Sequence, residues 1–290
     1  MQASEIRCLG EGLLAVALAA ARALMSHFGT GMEVERKADR SPVTAADRQA
    51  EEIILMGLAR LAPGVPVIAE EEVAAGRIPD IRGSFFLVDP LDGTNGFIKG
   101  VPEFTINIGL IEAGRPVFGL LYAPALSDFY VTLAPDEAVN AHIGPDAGVT
   151  RLGECGLQRL RGRDPNPRAL VALTSQAHLN RATEVFLARY NVIERRALAS
   201  SLKFGLIARG EADFYPRLGP TREWDTAAGH AVLAAAGGAV TDIGGAPLLY
   251  GNAACGFESP EFVAWGRGSV AGSMKLAAAH RGPIVGDPKS

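Results

Sequence analysis

Phe85-Phe86-Leu87-Val88 runs straight into Asp89-Pro90-Leu91-Asp92-Gly93-Thr94. Four residues of strand character meet a hexapeptide in which Pro90 and Gly93 force the chain out of regular structure. Two carboxylates three residues apart, on a turn too stiff to spread them, make a site for a hard cation such as Mg²⁺. Gly93 and Thr94 then expose backbone N–H groups where a short helix can begin, a setting that takes phosphate. Metal beside phosphate points to phosphoryl chemistry. The plain alternative is a surface loop, because Asp-Pro and Asp-Gly are ordinary turn dipeptides. Against it stand two more acids at element ends. Glu70 follows the apolar segment Val65-Pro66-Val67-Ile68-Ala69, and Asp225 opens a long apolar helix. Four acids from three distant segments can converge around two or three cations; a chance turn has no such companions.

The chain has 290 residues, enough for one large layered unit or two intimate domains. With 48% hydrophobic and 21% charged residues it reads as globular, not disordered. A formal charge of −4 and the lack of a basic cluster argue against a nucleic-acid partner. Cys8, Cys155 and Cys255 are odd in number and far apart, with neither a disulfide framework nor a zinc spacing, which fits a reducing cytoplasm. The apolar run Leu13–Ala21 imitates a signal peptide. Glu5 and Glu11 spoil its leader, Arg22 follows at once, and the run is too short to span a bilayer. It reads as a buried N-terminal helix ending near Gly29.

A second helix is expected from Ser41 or Thr44 to about Leu61, stopped by Pro63-Gly64. Strands are expected over 66–69, 85–89, 105–112, 116–123 and 128–133, with Ala113-Gly114-Arg115 as a hairpin turn and an antiparallel sheet as the result. Residues 134–168, polar and rich in Pro, Gly and Arg, read as the connection between halves. Beyond them strands (169–174, 192–195, 212–216, 239–243) alternate with helices (180–190, 201–208, 225–236), implying a second, more parallel sheet, with 262–265 as a last edge strand. The expected division is 1–150 carrying most metal ligands, 151–266 carrying Asp225 and the substrate contacts, and a loosely ordered tail over 267–290.

Three motifs in order, Glu70-Glu71 after a strand, Asp89-Pro90-Leu91-Asp92-Gly93-Thr94, and Trp224-Asp225-Thr226-Ala227-Ala228-Gly229, resemble the inositol monophosphatase family of Mg²⁺-dependent, lithium-sensitive phosphatases. The likeness runs from about residue 10 to 266. It implies the layered αβαβα sugar-phosphatase sandwich, of mixed α+β and α/β character. Glu103–Ile108, Leu121-Tyr122-Ala123-Pro124, Ser200–Phe204, Tyr215–Pro220 and Trp224–His230 are most similar to the 3′(2′),5′-bisphosphate nucleotidase branch. Tyr-Ala-Pro stands where inositol phosphatases more often carry Tyr-Asp-Pro or Tyr-Asn-Pro. The chain departs from the family at Ala69, usually Ser or Gly, and at Asn95-Gly96, where this branch commonly has Lys/Arg-Glu.

The resemblance implies two or three Mg²⁺ ions and inhibition by Li⁺. One cation would be held by Glu70, Asp89 and the Leu91 carbonyl, a second by Asp89, Asp92 and Asp225, a third by Glu70 and waters. Water would attack directly, with no phosphoenzyme. Thr94 would orient it, Asp47 would polarise the Thr94 hydroxyl and Glu70 would act as base. Asp47 also fits a plain helix cap, Thr44-Ala45-Ala46-Asp47, with the acid at the third helical position. Gly93, Thr94 and Asp225 would meet the scissile phosphate. Ser200, Lys203 and Arg217, with His178 as a further candidate, would meet the rest of the substrate, since a second phosphate needs cationic partners. Trp224 and His230 read as structural, Glu71 and Glu72 as solvated neighbours or as groups supporting the metal ligands from behind. The expected substrate is adenosine 3′,5′-bisphosphate, cleaved to AMP by a cytoplasmic monomer or homodimer with no integral membrane segment; peripheral attachment at the inner membrane is left open. The rivals are inositol 1-phosphate, fructose 1,6-bisphosphate or histidinol phosphate on the same fold, and a non-catalytic nucleotide-binding protein.

Overall fold

The computed structural model describes residues 1–30, 35, 36 and 42–268. Two long helices, α1 (Ala3–His27) and α2 (Ala45–Leu61), pack together at the N-terminus, flanking a small ladder of β1 (Glu35–Arg36) and β2 (Pro42–Val43). α1 is long and apolar enough to cross a membrane by length and composition alone, yet 61% of its most apolar window is buried inside the fold. Leu13, Leu14, Ala17 and Leu24 face the core, which makes it a core helix.

A seven-stranded sheet follows, in the order β3-β4-β5-β6-β7-β8-β9. Its strands are β3 (Val67–Ala69), β4 (Phe85–Asp92), β5 (Thr105–Glu112), β6 (Arg115–Ala123), β7 (Asp128–Ala134), β8 (Glu137–His142) and β9 (Gln158–Arg159), with short helices α3 (Glu70–Ala74) and α4 (Thr94–Ile98) inserted. The C-terminal half builds a five-stranded sheet, ordered β11-β10-β12-β14-β13. It comprises β10 (Leu170–Ser175), β11 (Val192–Leu198), β12 (Phe214–Arg217), β13 (Ala239–Asp242) and β14 (Phe262–Trp265), with α5 (Arg181–Leu187), α6 (Leu202–Ala208) and α7 (Ala227–Ala235).

Periodicity two in the strands sorts side chains into layers. Phe86, Val88, Ile106, Ile108 and Phe118 meet α1 and α2 on one face of the large sheet. Leu87, Ile111 and Leu121 meet α6, α7 and the inner face of the small sheet on the other. Ala172, Phe214 and Trp265 close the outer face of the small sheet against Phe186 and Leu187 of α5. The result is the αβαβα sandwich.

Two glycines set how close α7 comes. Gly109 and Gly119 are paired across β5 and β6. A methyl group on Gly119 would lie 2.2 Å from the Ala228 carbonyl oxygen, and one on Gly109 2.8 Å from the Ala227 methyl. The notch they form seats the start of α7, just beyond Asp225. Gly119→Ala is therefore expected to destabilise the protein by about 3 kcal/mol in urea unfolding, because backbone, not a flexible side chain, must move. A loss under about 0.5 kcal/mol would contradict this reading of the notch.

Several expectations are corrected. The large sheet is not wholly antiparallel, since β3 runs parallel to β4. Residues 134–168 are not only a connection: β8 and β9 extend the first sheet there. In the second sheet β10 runs parallel to β11 and β12, whereas β14 is antiparallel to both neighbours and lies between them, so it is no edge strand. Of the expected tail, residues 269–290 fall outside the described residues, and Arg267 pairs with Asp164 at 3.3 Å.

Candidate active site

The hexapeptide does not leave the sheet where expected: β4 continues through Pro90 and Leu91 to Asp92. Asp89 pairs with Asn107 and Asp92 with Thr105, so three residue steps on β4 face two on β5. This is a β-bulge, and Pro90, lacking an N–H, is tolerated inside it. The extra residue has a chemical consequence. Residues three apart on a regular strand face opposite ways; here both Asp89 and Asp92 line one cleft. Gly93, at φ 99°, then turns the chain into α4, a left-handed conformation that suits glycine.

The cleft, about 700 Å³, also collects Glu70 from the start of α3, Asp225, Thr94, His178, Ser200, Lys203 and Arg217. Asp225 ends a short 3-10 turn (Glu223–Asp225) rather than opening α7 directly. All the predicted cleft residues are thus brought together, with Asp47 behind Thr94. The Thr94 hydroxyl lies 3.3 Å from Asp47 Oδ1 and 3.1 Å from the Leu91 carbonyl oxygen. Asp47 is at once the expected cap, its Oδ2 accepting from Thr44 N at 2.7 Å and Thr44 Oγ1 at 2.6 Å. One carboxylate serves both ends.

Individual hydrogen bonds hold the acids. Asp89 Oδ1 accepts from Leu91 N at 2.9 Å, Asp92 Oδ2 from Ser201 N at 2.5 Å, and Asp225 Oδ2 from Thr221 Oγ1 at 2.6 Å and Arg222 N at 3.0 Å. Among the described residues, no three acidic, histidine or cysteine side chains stand close enough to grasp one cation as they are placed. What joins the acids is their field. Burial first, then the charges of Glu70, Asp92 and Asp225, raise the Asp89 carboxyl well above its usual range. Burial and then Asp225 push Asp92 up to about 7. An all-oxygen, anionic donor set in which burial and like charges outweigh the opposing Lys203 and Arg217 is chemically suited to hard divalent cations.

Two buried cations share the cleft. Lys203, almost wholly buried on α6, donates to the carbonyl oxygens of Leu198 (3.1 Å) and Ser200 and lies 4.8 Å from the Tyr215 ring centre. Burial lowers its ammonium to about 8 despite Asp92 opposing the shift. Ser200 sits at φ 50°, a strained conformation that turns Ser201 N toward Asp92. Arg217 donates to the Pro220 carbonyl, while its buried Nε has no partner among the described residues. Burial and the cations Arg217 and Lys203 lower His178, which favours its neutral form.

His230 and Trp224 are both buried, and Trp224 also lines the cleft. The His230 ring is 2.9 Å from the Tyr250 hydroxyl, burial holds it down to about 3, and Trp224 packs on Phe257. Glu72 pairs with Arg77 at 2.6 Å. Three contributors were not anticipated. Ser201 Oγ donates to Asn107 Oδ1 at 2.6 Å and bonds Thr105 Oγ1 at 2.7 Å, a buried polar knot beneath Asp92. Glu223, fully buried, accepts from Gly251 N and Asn252 N and fixes the loop beside Asp225. Glu51 on α2 accepts from Glu71 N at 2.9 Å. The signal for Glu51 lay in its i, i+4 spacing from Asp47, which puts both on one helix face.

Carboxylates from β4, from the start of α3 and from the turn before α7, gathered in one cleft with two buried cations, define a phosphatase of the layered α/β type. The inositol monophosphatase family model matches residues 6–273. The 3′(2′),5′-bisphosphate nucleotidase CysQ of Shigella flexneri is 43% identical over 220 residues, 76% of this chain and 83% of that one. Its counterpart from Escherichia coli K12 is 42% identical over the same shares. The crystal structure of CysQ from Bacteroides thetaiotaomicron, described as a bacterial member of the inositol monophosphatase family, superposes with a TM-score of 0.72 at 33% identity, covering 89% of this chain and 97% of that one. An inositol monophosphatase from Thermotoga maritima superposes at 0.67 with 26% identity, over 91% and 94%. The chain belongs to the inositol monophosphatase family.

Proposed function

We propose that the protein is a Mg²⁺-dependent 3′(2′),5′-bisphosphate nucleotidase that converts adenosine 3′,5′-bisphosphate to AMP and phosphate. The observation that carries this reading is a single cleft lined by four acids and by two buried cations, Lys203 and Arg217, near enough to act on the Asp92 carboxyl. A substrate with two phosphates suits that arrangement, one group at the acids and one at the cations. Its relatives named for this activity support it.

Glu70, Asp89, Asp92, Asp225 and the Leu91 carbonyl would hold the cations. When bound, such ions neutralise the phosphate dianion and lower the pKa of water from its bulk value of ~15.7. The protein's own groups do the rest. The Thr94 hydroxyl donates to Asp47 or to the Leu91 carbonyl, and either choice leaves its lone pairs to accept a hydrogen bond from an attacking water and fix its direction. Glu70 receives the proton that this water loses. The α4 amides after Gly93 offer donors to phosphate oxygens, and Arg217 Nε, Lys203 and Ser200 take the distal phosphate. A cytoplasmic location belongs to the same reading, since all three cysteines are free.

A substrate panel tests this. Phosphate release from adenosine 3′,5′-bisphosphate is expected to exceed release from inositol 1-phosphate by at least about tenfold in kcat/KM. It should vanish in chelator, return with Mg²⁺ and fall in millimolar-scale Li⁺. Faster turnover of inositol 1-phosphate would overturn the nucleotide reading, and chelator-resistant turnover the metal reading.

A further inference from the structure

We propose that Glu51 is a positioning residue that caps α3 from a different helix and so fixes Glu70 relative to Thr94. The inference rests on the metal-dependent reading above and adds a residue to it. α3 begins at Glu70, and its cap position is Ala69, which has no side-chain acceptor. A helix start without a cap leaves several N–H groups unsatisfied. Here the acceptor comes from α2: Glu51 Oε2 takes the Glu71 N–H at 2.9 Å. Glu51 is only 3% exposed, a place where an acid persists only with a role for its oxygens.

Asp47 lies one helical turn earlier on the same face of α2, 2% exposed, and meets the Thr94 hydroxyl. α2 is thus a rigid bar with two carboxylates. One holds the residue that aims the water, the other holds the helix start that presents Glu70. Seventeen residues long and packed on α1, it is far stiffer than the five-residue α3 it braces. Glu51 does not line the cleft. It acts through the α3 backbone.

The test compares Glu51→Ala, Glu51→Gln, and Glu51→Ala combined with Ala69→Ser, which supplies the missing cap locally. Three quantities are read: kcat, the Mg²⁺ concentration for half-maximal activity, and the rise in Tm on adding Mg²⁺ to metal-free protein. Glu51→Ala is expected to raise the half-saturating Mg²⁺ by about tenfold or more and to blunt the Tm rise, while KM for the nucleotide shifts less than about threefold. Glu51→Gln keeps an acceptor and should stay within about threefold of wild type; Ala69→Ser should restore most of the lost Mg²⁺ response. If Glu51→Ala does not fold, Glu51→Asp, one methylene too short, replaces it with the same expectation. The proposal is overturned if the alanine or aspartate variant keeps the wild-type Mg²⁺ response, or if Glu51→Gln falls as far as Glu51→Ala. Failure of the wild type to respond to Mg²⁺ at all would instead sink the metal-dependent reading.

Discussion

Replacing Asp89 with Asn is expected to lower phosphate release by at least about a thousandfold, while making the metal-free protein more stable than the wild type. Both effects have one origin. Asp89 is buried, and desolvation together with the charges of Glu70, Asp92 and Asp225 disfavours its ionised form. A carboxyl whose folded-state pKa is raised contributes stability below the unfolded value and loses it as pH rises toward the folded value. The metal-free wild type should therefore weaken from about pH 4, where an aspartate in an unfolded chain titrates, to about 7, where Asp92 titrates in the fold. Asn keeps the acceptor for Leu91 N and carries no charge, so the penalty at Asp89 disappears. The expected gain at pH 8 in chelator is about 1–3 kcal/mol by urea unfolding, shrinking toward zero below pH 4. Mg²⁺ should stabilise the wild type by about 2.7 kcal/mol at a hundred times its dissociation constant and leave the variant nearly unmoved. A variant that is less stable in chelator, or that still turns over, would show that Asp89 is not held against its neighbours to bind charge.

Arg217→Met is expected to cut kcat/KM for adenosine 3′,5′-bisphosphate by about a hundredfold and to change that for a simple phosphomonoester by less than about threefold. Arg217 ends β12 with its guanidinium in the cleft, and its buried Nε has no partner there. A buried donor without an acceptor is costly, and a phosphate oxygen would relieve that cost. The loss should fall mainly on KM, because the distal phosphate is bound equally before and during the reaction. Arg217→Lys, which keeps the charge but not the planar fork, should fall between, at about tenfold. Equal losses on both substrates would place Arg217 in the general folding of the cleft, through its bond to the Pro220 carbonyl, rather than in recognition.

The site was more legible in the sequence than the sheets that carry it. Acids at element ends announce themselves locally, next to glycine, proline and strand residues, so Glu70, Asp89, Asp92 and Asp225 could be named before any fold was known. How β4 treats Asp89–Asp92 could not. A proline and a glycine normally end a strand, and only pairing with Asn107 and Thr105 shows that a bulge absorbs them. β8 was hidden because Glu137–His142 sits among turn-forming residues, and its strand character comes from pairing with β7. β14 looked like an edge because it is last in the chain, yet its run Phe262-Val263-Ala264-Trp265 is buried throughout, as an interior strand must be. Glu51 has only its spacing from Asp47 to mark it in the sequence, and its contact with α3 exists only in the fold. Residues whose role is set by their own neighbours in sequence were readable, and those set by a partner far along the chain were not.

On this reading Glu70, Asp89, Asp92 and Asp225 jointly bind divalent cations over the substrate. Anomalous scattering from Mn²⁺-soaked crystals, collected on the wild type and on Asp89→Asn, tests it most directly. Mn²⁺ peaks are expected within ligating distance of Asp89 and at least two of the other three acids, lost or displaced in the variant. Peaks confined to other acidic residues, or unchanged by the substitution, would contradict it.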